Sequence, residues 1–408
     1  MFMVSIAAAA GFMSCAGEDE AAVDEALVQR IHTEAVTVDT HCDTPMMMVG
    51  QGYDMGRRHT FGEEGAGRVD LPRMQEGGLN AEFFAAFVGQ GPRNPEGYAE
   101  AEIRARKAIE AVHQMCRDYP EMVELAGHPD DAVRLKKEGK IAAYIGMENG
   151  YPLGKDISKV ETFYDLGVRY ITLCHSSDND ICDSSTDRRS PEDQGLSDFG
   201  RQVVEECNRL GIMVDISHAS DQSFYDVLEH SKAPVIASHS SCRALCDHPR
   251  KLSDDMIKAL AGKDGVIHIC FVSSFLREIP PDPEREKALA ALEEKYGSFR
   301  EIEDEETRER VRREYRKIYE LHPSPQATVK DVIDHVDHVV NLVGVDYVGF
   351  GTDFDGGGGV EGCRDASEMP NLTRELLRRG YTEEEIRKIW GENFLRVFRK
   401  VIETAETL

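Results

Sequence analysis

Paired thiols are what this sequence lacks first: ten cysteines are scattered through 408 residues without one C-x-x-C pair. That argues against a thiolate zinc knuckle or a thioredoxin-like redox motif as the organising centre. Cys174 and Cys182 are near enough in sequence to bridge a loop in an oxidising compartment, but free buried thiols are the expectation. Positive charge is also short, with 48 Lys and Arg against 75 Asp and Glu. The resulting net charge of −27 argues against nucleic acid or an anionic membrane surface as a partner. No nucleotide-type glycine fingerprint supports an open doubly wound sheet. Beyond the N-terminus, no apolar run approaches the ~20 residues of a membrane-spanning helix. With 41% hydrophobic and 30% charged residues the chain is globular, long enough for one large α/β barrel or two ordinary domains.

The N-terminal exception is an apolar, Ala-rich run from Phe2 to Met13, followed by Ser14-Cys15-Ala16-Gly17 and an acidic stretch. Residues 1–20 read as a lipoprotein-type signal, with a lipid anchor at Cys15 and the bacterial cell envelope as the location. No Lys or Arg precedes the run, and Phe12 and Met13 fit a lipidation box poorly, so a cytoplasmic chain is the alternative.

Residues 21–408 alternate short apolar, β-branched runs with amphipathic helical stretches. The predicted strands fall at residues 35–38, 81–88, 141–146, 168–173, 212–216, 234–237, 265–272 and 347–350. Residues 277–326 break the rhythm; Pro-flanked and highly charged, they read as two solvated helices inserted as an arm. Eight strands each followed by a helix predict a single (β/α)8 barrel of the TIM type, an α/β fold.

Barrel enzymes place their chemistry at the C-terminal ends of the strands. Here those ends carry His41 and Asp43, Glu148, His175, His218, His239 and Asp353. His41 and Asp43 stand two apart and face the same way on a strand. A strand-end Glu is ordinarily a loop or cap partner, and a buried His is ordinarily just hydrogen-bonded. Five such residues at the mouth of one barrel reverse that weighting. His41 and Asp43 would hold one zinc ion, His218 and His239 a second, and Glu148 would bridge them. Two metals ~3.5–4 Å apart would share a hydroxide and polarise a carbonyl, which suits hydrolysis of an amide or ester.

The motifs D-T-H-C-D-T-P, G-M-E-N-G, Y-I-T-L-C-H, V-D-I-S-H-A-S, S-H-S-S-C-R-A, H-P-R-K-L-S-D-D, G-F-G-T-D-F-D-G and G-E-N-F-L-R-V-F lie in this order between residues 36 and 398. Together they resemble those of the membrane (renal) dipeptidases, the M19 zinc peptidases. The resemblance implies a zinc-dependent dipeptidase with the metal set His41, Asp43, Glu148, His218 and His239. It also implies dipeptide substrates with a free carboxylate and a homodimer. It adds roles for three residues: His175 at the tetrahedral oxyanion, Arg250 on the substrate carboxylate, and Asp353 on the substrate amino group as proton shuttle. Four positions depart from the family pattern: Cys42 for Asn, Asn149 for Gly, Lys251 for Asn and Val272 for Tyr. Lys251 is expected to add charge near the carboxylate pocket, and Cys42 to offer a thiol beside the metals. Alternatives are another amidohydrolase-type reaction, on a β-lactam, lactone or N-acyl amino acid, or a catalytically silent barrel that only binds. The wider amidohydrolase group bridges its metals with a carbamylated Lys, and no Lys stands near Glu148.

Overall fold

Among the described residues nine parallel strands form the sheet: β1 (Val38–Cys42), β2 (Ala81–Phe87), β3 (Val123–Leu125), β4 (Ile141–Glu148), β5 (Val168–Thr172), β6 (Met213–Asp215), β7 (Ile236–Ser240), β8 (Val266–Ile269) and β9 (Val348–Phe350). The computed structural model describes residues 23–63, 65–187, 189, 192–297 and 304–408. The anchor expected at Cys15 lies outside the described residues. Eight strands run β1-β2-β4-β5-β6-β7-β8-β9, and β3 pairs only with β4. Closure comes just beyond β9, where the Asp43 amide donates to the Phe354 carbonyl at 2.8 Å and the Asp353 amide to the His41 carbonyl at 3.0 Å. The architecture is the predicted TIM-type barrel.

The helices form where the sequence supplies caps and an apolar stripe. Asn94 caps the long helix Pro95–Asp118 by accepting from the Gly97 amide, and Ser197 caps Asp198–Leu210 through Gly200. Gly211 ends that second helix at φ 77°, a left-handed conformation that costs glycine little. Pro45 sits in the first turn of the helix Thr44–Gln51, where its missing N–H costs nothing. Residues 277–326 hold the expected pair of helices, Pro283–Tyr296 and Glu305–Leu321, packed on each other through Leu292 and Val311. Among the described residues no helix is long and apolar enough to cross a membrane.

Two strands are displaced from their predicted places. β1 begins at Val38 and carries His41 inside it, and β7 runs three residues past Ala237, through His239 to Ser240. Their polar residues stay in the sheet because neighbouring strands satisfy them. Asp39 accepts from the Thr352 hydroxyl at 2.5 Å and the Thr352 amide at 2.8 Å, for example. β8 stops at Ile269, short of the predicted Val272.

The N-terminal halves of the strands bury an apolar cluster that includes Phe83, Tyr144, Tyr170 and Met213. The last helix, Asn393–Ala405, closes that end with Phe394 and Phe398, whose rings lie 5.1 and 6.4 Å from Phe83. This plugged floor leaves only the opposite mouth open to chemistry.

Candidate metal centre

Glu148, the last residue of β4, is the hub of the mouth. One of its oxygens, Oε1, lies 3.1 Å from His218 Nε2, 3.4 Å from His239 Nε2 and 3.8 Å from His175 Nε2. The other, Oε2, lies 3.6 Å from His41 Nε2, which in turn is 4.0 Å from Asp43 Oδ2. His218 and His239 face each other, Nε2 to Nε2, at 3.0 Å. The five predicted ligands are therefore brought together from four strands or their ends, and all five are buried. Potential ligand atoms fall into three overlapping groups within 4.8 Å: His41, Glu148 and His239; Glu148, His175 and His218; and His41, Asp43 and Asp353.

The backbone around the mouth is shaped for this convergence. Asn149, His218, Asp353 and Asp355 all take positive φ, 76°, 74°, 57° and 66°. Asn149 can sit there because Asn tolerates the left-handed region better than other non-glycine residues. Its side-chain oxygen also accepts from the Tyr151 amide and the Asn179 amide group. At Gly356 a Cβ would come within 2.1 Å of both Asp43 Oδ2 and Asp353 Oδ1, so only glycine lets the two carboxylates converge.

The expected substrate residues line the same cavity of about 560 Å³, open beside Asp43, Glu148, His175, Arg250, Phe275 and Asp353. Arg250 donates to the His239 carbonyl at 3.1 Å, and its guanidinium lies over the Phe275 ring at 5.6 Å. His175 packs on His218 at 4.2 Å and on Phe87 at 4.7 Å, ring centre to ring centre. Val272 also lines the cavity. Two expectations are corrected. Lys251 adds no charge to this pocket: it is buried and folds its ammonium back onto the Cys246 carbonyl. Cys42 points into the apolar core beside Thr44, and burial raises its thiol pKa well above the usual range, so it presents no thiolate to the mouth.

Residues that motif reading passed over hold the ligands in place. The Tyr170 hydroxyl meets His41 Nδ1 at 2.8 Å, and a Cβ at Gly146 would strike the Tyr170 ring at 2.1 Å. Ser238 Oγ meets His239 Nδ1 at 2.8 Å. In both cases the second nitrogen, Nε2, is left to face Glu148. The pattern Asp39-x-His41 and Asp215-x-x-His218 was the visible signal for the two buried carboxylates behind them.

The electrostatics fit a cation. Burial, then Arg250 and His175, hold His41 down to about 3, and burial holds His218 and His239 well below the usual imidazole range, so all three stay neutral. Burial raises Asp43 and Glu148 well above the usual carboxylate range, with repulsion from Asp353 and Asp355 adding at Asp43 and repulsion from Asp43 and Asp353 adding at Glu148. Asp353 is pushed up to about 7 chiefly by burial. Neutral imidazole nitrogens next to carboxylates that lack a counter-charge are the donor set of a divalent metal. The unsatisfied buried atoms agree: His41 Nε2, Asp43 Oδ1 and Glu148 Oε2 have no hydrogen-bond partner.

Comparison with known proteins gives the same frame. Residues 25–408 match the family model described as membrane dipeptidase, peptidase family M19. The chain is 34% identical over 346 residues to dipeptidase tcpJ of Claviceps purpurea (strain 20.1), covering 83% of this chain and 71% of that protein. A crystal structure of the probable dipeptidase PvdM from Pseudomonas aeruginosa superposes with a TM-score of 0.80 at 31% identity, covering 93% of this chain and 98% of that one. A metallo peptidase from Rhodobacter sphaeroides, solved with a phosphinate mimic of the dipeptide L-Ala-D-Ala, shares the fold with a TM-score of 0.71 at 24% identity, covering 90% and 99%. The chain belongs to the membrane dipeptidases, peptidase family M19.

Proposed function

We propose that this M19 enzyme hydrolyses the peptide bond of dipeptides that carry a free C-terminal carboxylate, with two zinc ions as its cofactor. The observation that carries the reading is the Glu148 carboxylate, one oxygen facing His218 and His239, the other facing His41 beside Asp43. His41 and Asp43 would hold one cation and His218 and His239 the other, with Glu148 available to both. When bound, such cations would supply Lewis acidity, polarising the scissile carbonyl and lowering the pKa of the attacking water from about 15.7 towards about 7.

The chain's own residues do the rest. Arg250, already oriented by the His239 carbonyl and the Phe275 ring, grips the substrate carboxylate through parallel N–H donors. His175, at the edge of the ligand cluster and partly exposed to the cavity, donates to the oxygen on which negative charge develops. Asp353, beside Asp43 in the cavity, accepts a hydrogen bond from the substrate ammonium, takes the proton that the attacking water releases and gives it to the leaving amine. A lipid anchor at Cys15, an envelope location and a homodimer complete the proposal; an unmodified Cys15 in the native protein's intact mass would remove the anchor.

The test is kcat/KM for a dipeptide and its C-terminal amide, in the wild type and in Arg250→Met. A charge-assisted clamp of ~2–3 kcal/mol predicts a loss of roughly 30- to 150-fold for the mutant on the acid. The amide should be a poor substrate of the wild type, and the mutant should narrow the gap. Equal cleavage of acid and amide by the wild type would reopen the substrate class.

A further inference from the structure

His239 is held from behind by a chain of hydrogen bonds that crosses three strands. Asp215, at the end of β6, is fully buried and has four donors aimed at it. Its Oδ1 accepts the backbone amides of Ser217 at 3.0 Å and Ser238 at 2.8 Å. Its Oδ2 accepts the hydroxyls of Thr172 and Ser238, each at 2.6 Å. The Ser238 oxygen then meets His239 Nδ1 at 2.8 Å. Neighbouring residues on a regular strand point to opposite faces, but the register of β7 against β8 shifts between Ala237 and Ser240. That irregularity lets Ser238 reach the ring of its own neighbour.

A serine hydroxyl has one proton. Spent on the Asp215 carboxylate, it leaves only lone pairs for His239, so Nδ1 must be the protonated nitrogen and Nε2 the bare one. Ser217 Oγ, 3.4 Å from Ser238 Oγ, is also an acceptor for the His239 amide, at 3.1 Å, which leaves its proton free to point at Ser238 and not away from it.

We propose that Asp215, acting through the Ser238 hydroxyl, is a positioning residue that fixes the tautomer of His239 and so keeps its metal-facing nitrogen unprotonated. The inference rests on the metal-centre reading above, but the tautomer can be observed without metal.

Asp215→Asn tests it with almost no change of shape. The two backbone amides require an acceptor at Oδ1, so the amide oxygen goes there and the new NH₂ faces Ser238 and Thr172. Ser238 must then accept from Asn and turn its proton to His239, which reverses the tautomer. Nitrogen-15 NMR of the metal-free protein, with the His239 signals assigned by their loss in His239→Asn, should show Nδ1–H in the wild type and Nε2–H in the variant. Zinc affinity, measured by competition with a chromophoric chelator, should fall about 10- to 100-fold. Thr172→Val removes the other hydroxyl from the same oxygen and should change neither signal. If Asp215→Asn does not fold, Ser238→Ala is read instead. It should mix the two tautomers and lower zinc affinity by a smaller factor. An unchanged tautomer in the tested variant, an Nε2–H wild type, or a Thr172→Val variant that behaves like Asp215→Asn would overturn the relay. A wild type whose zinc binding is indifferent to His239→Asn would instead sink the metal-centre reading, leaving the relay to be judged by the tautomer.

Discussion

At the floor of the barrel the strands bury carbon, while at the mouth, one strand length away, the same strands bury charge. On the floor Phe83 stacks on Tyr144 at 4.7 Å and on Tyr170 at 5.2 Å, and Phe394 and Phe398 close over them. The Tyr144 hydroxyl in this layer is satisfied by donating to the His128 carbonyl and accepting from the Ala132 amide. At the mouth, by contrast, Asp43, Glu148 and Asp353 crowd together, buried donor and acceptor atoms go unpaired, and four non-glycine residues stand in left-handed conformations. The floor makes the fold stable; the mouth spends part of that stability on a site that a cation completes. Tyr170 belongs to both ends, its ring in the aromatic stack and its hydroxyl on His41.

Substitutions at the two ends should therefore separate turnover from stability. The largest effect is expected for Glu148→Gln, which keeps the shape and removes the shared charge: kcat/KM should drop by about three orders of magnitude or more, roughly 4 kcal/mol. The metal-free fold should be no weaker, and stronger at neutral pH. Burial raises the Glu148 pKa, so the folded state holds a proton that the unfolded state releases above about 4.5, and stability falls as pH rises through that window. Denaturant midpoints in chelator and steady-state rates after zinc loading check the two halves, and retained turnover would remove Glu148 from the bridge. Phe83→Ala is the mirror case. It should cost about 3–4 kcal/mol of unfolding free energy while leaving kcat per folded molecule close to normal. A comparable loss of kcat would mean that the floor positions the mouth more tightly than its contacts suggest.

The unequal legibility of the two ends in the sequence follows from the same contrast. A buried strand announces itself by an apolar run, and the floor half of β4 and the whole of β9 are such runs, while β2 and β5 are apolar apart from Glu82 and Arg169 near their starts. His41, Glu148, His175, His218, His239 and Asp353 were visible because metal-binding side chains recur where those runs stop. What escaped was how far the sheet continues into the polar residues. Asp39 and Ser238 look like loop residues until Thr352 and Asp215, hundreds or tens of positions away, are seen to satisfy them. Three-residue β3 carries too little pattern to read. Lys251 was misplaced because nothing local reveals that the Cys246 carbonyl captures its ammonium.

The smallest effect, and the sharpest test of the division, concerns pH. Away from the mouth, His335 is fully buried, accepts the Cys242 amide on Nδ1 at 3.0 Å and faces the Leu276 carbonyl with Nε2 at 2.9 Å. Only the neutral ring can accept on one nitrogen and donate from the other, and burial accordingly lowers its pKa from 6.5 to about 4. His32, held between the Thr373 hydroxyl and the Gly77 carbonyl, is likewise lowered to about 4, chiefly by burial. Between pH 6.5 and 4 the unfolded chain binds protons that these rings refuse, so their contribution is fully present above 6.5 and lost as pH falls towards 4. The mouth carboxylates have the opposite sign, weakening the metal-free fold as pH rises. His335→Gln retains one acceptor and one donor but cannot titrate. It should flatten the acid limb of the stability profile by up to about 1.4 kcal/mol per pH unit, leaving the neutral limb unchanged. Glu148→Gln should instead remove a fall in stability that begins above about 4.5 and continues past 6.5, a change of opposite sign to that of His335→Gln where the two windows overlap. Denaturation of both variants in chelator from pH 4 to 8 measures the two slopes, and slopes changed in the same direction by both substitutions would show that mouth and surrounding layer are not separable.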